Sequence, residues 1–213
     1  MWKPDGVRYL LLANAATAVL ALAFHWPLAA VTWPFWVQSV VIGWYSRRRI
    51  LSLRNFSTEG FTVNDRPVPE TPESLRQTAN FFTLHYGFFH FGYFFALLKF
   101  SPALGPWDAI GLIAAAASFV TSHRASFRQN IESDMRGRPN LGVLMFLPYA
   151  RIIPMHAMIL FGASYGDNGR TAVLLFLVLK TGADVLMHHI EHGILQRVRV
   201  PAANESGRKP REV

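Results

Sequence analysis

Apolar residues in this chain fall into six blocks of roughly 20, at 7–24, 28–45, 78–98, 107–127, 143–165 and 171–195. That is the length a helix needs to cross the hydrocarbon of a bilayer. The pattern predicts an all-α, polytopic membrane bundle of about six transmembrane helices, occupying residues 1–196. Residues 46–77 form the longest polar interruption and contain Pro67, Pro69 and Pro72, which predicts a cytoplasmic surface element or lid. Thr71 followed by Pro72 reads as an N-cap with proline at the first helical position, opening the third helix. Arg47, Arg48 and Arg49 are expected to end the second helix. Pro34 is expected to kink that helix, and Pro148 with Pro154 to kink or break the fifth. Residues 197–213 are polar and basic and read as a disordered cytoplasmic tail.

Composition agrees with this pattern. Of 213 residues, 51% are apolar, 14% aromatic and only 16% charged, outside the ordinary soluble range. With no cysteine, thiolate metal sites, iron–sulfur clusters and cysteine nucleophiles are excluded. The net charge of +8 is not a nucleic-acid footprint, because the bases cluster between apolar blocks rather than along a reader helix. If the N-terminus is cytoplasmic, the inner segments carry two, six, four and five Lys or Arg residues. The outer segments carry only Lys99 and Arg170, and Arg151 and Lys180 lie within blocks. This asymmetry predicts both termini on the cytoplasmic side of the membrane.

The last block holds Lys180, Asp184, His188 and His192, each four residues after the one before, which puts them in one stripe along a helix. Ionisable groups at membrane depth are costly and turn toward other helices or a wet cavity. At about 1.5 Å per residue, Gln38, His85, Arg151, Asp184 and His188 fall roughly 10–17 Å from the cytoplasmic ends, and His90, His156 and Lys180 roughly 20 Å. His85, His156, Asp184 and His188 are therefore the candidate metal ligands, suited to Zn, Fe, Mn or Cu. Arg151, Lys180 and Gln38 are candidates to hold a substrate or orient a ligand. His85 and His90 are about 140° apart on their helix and cannot face one small site. Asn14 reads as a helix–helix hydrogen bond.

At His85–Gly87, Ser122–Phe127, Pro148–His156 and Lys180–His188 the chain resembles an uncharacterised bacterial family of polytopic membrane proteins, catalogued as a domain of unknown function. The H-Y-G, R-x4-H and K-T-x3-D-x3-H runs of that family match His85, Arg151, His156, Lys180, Asp184 and His188. The chain departs from it at Gln38, where an acidic residue is usual, and His90 and His192 lie outside its pattern. The resemblance implies a multi-pass fold in a bacterial inner membrane and no particular activity.

The leading expectation is an intramembrane metal-binding protein, with possible enzymatic action on a lipid or other apolar substrate. One alternative is b-type haem held by two histidines such as His85 and His156. Others are a small oligomeric transporter or channel, with Gly162 and Gly166 as a contact, and an accessory subunit of a larger membrane complex. The expected partners are the lipid bilayer and further protein subunits, with no nucleic acid. No G-x-S-x-G, H-E-x-x-H or phosphate-loop motif is present.

Overall fold

The computed structural model describes residues 5–100, 105–161 and 169–197. The chain is mostly helical, and each apolar block lies on a helix: α1 (Asp5–Ala23), α2 (Leu28–Leu51), α3 (Pro72–Phe100), α4 (Pro106–Arg136), α5 (Leu141–Phe161) and α6 (Gly169–Arg197). The end of the fifth block (162–165) and nearly all of the expected tail (198–213) lie outside the described residues. By length and composition, α3 is the one helix among the described residues long and apolar enough to cross a membrane, with a mean hydropathy of 1.2 over Pro72–Lys99. Shorter apolar stretches occupy Asn14–Ala23, Ala109–Thr121 and Leu141–Pro154.

α2 is the central helix and packs against α3, α4, α5 and α6, while α1 leans on α6. Two apolar cores form on different faces of it. One joins α2 to α3 and α5 through Ile50, Phe82, Tyr86, Leu144 and Ile152. The other joins it to α1, α4 and α6 through Phe35, Phe119, Val173 and Phe176. Pro34, Pro148 and Pro154 are all buried, and the helices run through them without a break. The expected break in the fifth helix is therefore absent: a proline removes one backbone donor, and packing on both sides holds the turns around the gap.

The second helix ends at Leu51 with Arg48 and Arg49 in its last turn, as the three arginines lead one to expect. Arg49, 9% exposed, forms a two-pronged ion pair with Asp134 of α4, one arm measuring 3.0 Å. Tyr45 stacks on Phe127 at 4.5 Å, and the Arg48 guanidinium lies over the same ring. α4 is drawn out to Arg136 by these contacts, well past its apolar block.

Residues 52–71 form a structured cap over the ends of α3 and α5. A two-stranded hairpin, β1 (Thr62–Val63) and β2 (Arg66–Pro67), turns through Asn64 and Asp65, both in the left-handed region that such turns require. Ser57 accepts from the Leu141 amide at 2.8 Å and donates its own to Pro139 at 2.9 Å. Phe61 closes on Gly142, where a Cβ would approach its ring carbon within 3.0 Å. The Thr71 hydroxyl accepts from the Ser74 amide at 3.3 Å and caps α3, as the sequence indicates.

Arg138 ties the cap down by gripping both Glu70 oxygens, at 2.8 and 2.6 Å. The guanidinium holds the Glu70 carboxyl below its ordinary value of 4.5. A carboxyl lowered on folding contributes stability that is complete above its ordinary value and is lost as the pH falls through the lowered one. Hydrogen exchange at the Ser57 and Leu141 amides is expected to quicken as the pH drops below 4.5, once corrected for intrinsic rates, and Arg138→Met is expected to remove that dependence.

Candidate functional site

α3 turns an unbroken apolar stripe outward: Phe81, Leu84, Phe88, Phe91, Phe95 and Leu98 alternate three and four residues apart, and each is more than half exposed. Its opposite face, with Phe82, Tyr86, His90 and Tyr93, is buried. His85 falls at the edge between the two faces. It is exposed, its ring stacks on Phe81 with centroids 5.4 Å apart, and its Nδ1 shares a hydrogen bond with the Tyr149 hydroxyl of α5 at 3.0 Å. Phe89 presents its edge to His85 at 5.1 Å. Further along the same seam the Tyr93 hydroxyl is hydrogen-bonded to His156 Nδ1, and Phe89 lies 6.0 Å from that imidazole. Two histidine–tyrosine pairs thus cross between α3 and α5 with Phe89 between them.

His90 faces another way, as its spacing from His85 requires. It is 4% exposed, stacks on Tyr86 at 4.2 Å and donates from Nδ1 to the Tyr86 carbonyl at 2.9 Å. Its Nε2 is left as an acceptor with no partner among the described residues. The Trp36 indole donates to the His90 carbonyl at 2.9 Å, and the Tyr86 hydroxyl donates to the Ser39 carbonyl at 3.0 Å, fixing α3 against α2.

On the other face of α2, Lys180 and Asp184 are 2% and 3% exposed and form an ion pair with both oxygens engaged, at 2.6 and 2.7 Å. The Lys180 ammonium lies 5.2 Å from the centre of the Phe35 ring. Asn14 of α1 reaches Asp184 at 3.5 Å, so Asn14 does serve as a contact between helices. Because Phe35 and Trp36 are neighbours on α2, this ion pair and His90 sit at about the same level of the bundle.

A similar level in the bundle does not by itself make a common site. Tyr149 and His156 are seven residues apart on α5, which at 1.5 Å per residue separates the two histidine–tyrosine pairs by about 10 Å along the helix. An ion bound at about 2 Å to two nitrogens needs those nitrogens within about 4 Å of each other. His85 and His156 thus do not share one ion, and Asp184 is engaged by Lys180 in the other core. Among the described residues no three His, Asp or Glu side chains are grouped as a metal site requires. The side chains of His188 and Arg151 lie outside the described residues, and Gln38 is buried on α2.

Sequence reasoning missed the tyrosines. Tyr86 and Tyr149 stand inside the very runs that drew attention to His85 and Arg151, and a phenol in mid-helix has to find a hydrogen-bond partner. That requirement was the available signal.

A family model described as a family of unknown function, DUF6498, matches residues 5–198. No curated protein and no solved structure matches the chain.

Removing one member of a buried ion pair leaves an uncompensated charge, whereas replacing both with apolar residues removes the desolvation cost as well. Asp184→Ala is expected to destabilise the protein by about 3–5 kcal/mol, and Lys180→Leu/Asp184→Leu by much less. Thermal unfolding of the purified variants checks this, and a double variant no better than the single one would contradict it.

Proposed function

We propose that this chain, which belongs to the DUF6498 family of unknown function, is an integral membrane protein whose α3/α5 seam receives a lipid-soluble molecule with a hydrogen-bonding head group. All six helices cross the bilayer in this reading, with both termini cytoplasmic. Support comes from the match of every apolar block to a helix. Large apolar side chains are also exposed on each of those helices, among them Leu12, Trp44, Phe88, Ile113, Ile153 and Val178. Monomeric soluble proteins rarely expose apolar surface on every element. The distribution of Lys and Arg supplies the orientation.

The observation that carries the functional reading is the exposure of His85. A histidine–tyrosine pair needed only to hold two helices together is best buried; this one stands on the same outer surface as the apolar stripe of α3, next to Phe81 and Phe89. A molecule diffusing in the bilayer reaches it sideways, and there a hydrogen bond meets no competition from water. The tyrosines fix the imidazole rings, so the polar groups are oriented before the molecule arrives.

Organic extraction and mass spectrometry of protein purified in native-membrane nanodiscs test the reading. A lipid-soluble compound is expected near one per chain in the wild type and several-fold depleted in His85→Ala, relative to bulk lipid. Equal recovery from both would overturn the reading. Elemental analysis and an absorption spectrum of the same samples separate the alternatives. Stoichiometric Zn, Fe, Mn or Cu lost in His156→Ala would favour ligation by the His85, His156, Asp184 and His188 set after rearrangement, and a Soret band would favour haem.

A further inference from the structure

We propose that the head group received by the seam is a quinone, bound in both its oxidised and its quinol form; the inference rests on the α3/α5 seam being a site for a lipid-soluble molecule. Three features of the seam select this class.

The first is flatness. The Phe81 and His85 rings are stacked within 11° of parallel, Phe89 stands edge-on to His85, and Phe146 lies 6.2 Å from Tyr149 on the outer side. Such a surface offers one face and two edges to a planar ring, and an acyl chain makes no use of that geometry.

The second is the hydrogen-bond pair itself. The His85 Nδ1 and the Tyr149 hydroxyl are 3.0 Å apart, and either can be the donor. When Tyr149 donates, the neutral imidazole carries its proton on Nε2 and presents a donor, the match for a quinone carbonyl. When Nδ1 donates, Nε2 is a bare acceptor, the match for a quinol hydroxyl. One residue pair therefore serves both states of a ligand whose oxygens change from acceptor to donor on reduction. An ester or ketone lipid, whose oxygens only accept, would use half of that capacity. The proposal is of binding, and no electron transfer is included in it.

The third is access. His85 is exposed beside Phe88 and Leu84, 73% and 78% exposed, so an isoprenoid or alkyl tail has an apolar track to lie on as it leaves the head-group site.

Binding of decylubiquinone and of its anaerobically kept quinol to the full-length protein in nanodiscs tests this by calorimetry, with empty nanodiscs subtracted. Both forms are expected to bind saturably, with affinities within about threefold of each other. His85→Phe keeps the ring stack and is expected to weaken both by about tenfold, the upper end of what one neutral hydrogen bond contributes. Tyr149→Phe, which removes a single oxygen, should weaken both by about threefold and gives a second reading should His85→Phe fail to fold. Decylbenzene has the ring and tail without the oxygens, and its weaker uptake is expected to be the same in wild type and His85→Phe. Affinity for decylubiquinone unchanged in both variants would overturn the quinone site. Absence of saturable binding in a protein that still co-purifies a His85-dependent compound would overturn the ligand class while leaving the seam's proposed role standing. Loss of both results together would remove the role as well.

Discussion

A polar atom placed among apolar helices costs several kcal/mol unless it is paired within the protein, and here that cost decides which helix faces meet. Several of the helix contacts in the interior carry such a pairing. Tyr86 and Trp36 bond across α2 and α3 to backbone carbonyls, Tyr93 and Tyr149 meet the histidines across α3 and α5, and Asn14 reaches Asp184 across α1 and α6. Hydrophobic contact holds these surfaces together without specifying their rotation. The hydrogen bonds supply the register.

α2 stands at the junction of the two polar systems. Phe35 lies under the Lys180 ammonium, while the next residue, Trp36, holds the backbone of His90. The two systems are chemically unlike. The ion pair lies in a single helix and is closed off on all sides, so its charges are compensated where they stand. The histidine–tyrosine seam spans two helices and opens at His85 to the outer surface. At the other end of α2, the buried Arg49–Asp134 pair anchors α4, and the cap of residues 52–71 closes over α3 and α5 through Phe56 and Phe61.

His90 is the loose end in this network. Its Nδ1 proton is committed to the Tyr86 carbonyl, which leaves a buried Nε2 lone pair unmatched among the described residues. Buried acceptors of this kind are uncommon in native proteins. Its position little more than one helical turn from His85, packed between Tyr86 and Tyr93, keeps it behind the seam rather than in it.

Block length and apolar content were enough to place the six described helices, because both are properties of consecutive residues; Thr71 before Pro72 marked the start of α3 for the same local reason. Rise per residue likewise gives each side chain a height along its own helix. The direction in which each side chain points was decided only when the helices packed. The i,i+4 spacing of Lys180 and Asp184 already paired them within one helix, but it took the tertiary structure to bury Arg49 against Asp134, to bring Asn14 to Asp184, and to set His85 and His156 two turns apart on the far side of α2. A helix fixes the height of its residues from its own geometry, but its rotation about its axis is a property of its neighbours, and a shared site depends on rotation as much as on height.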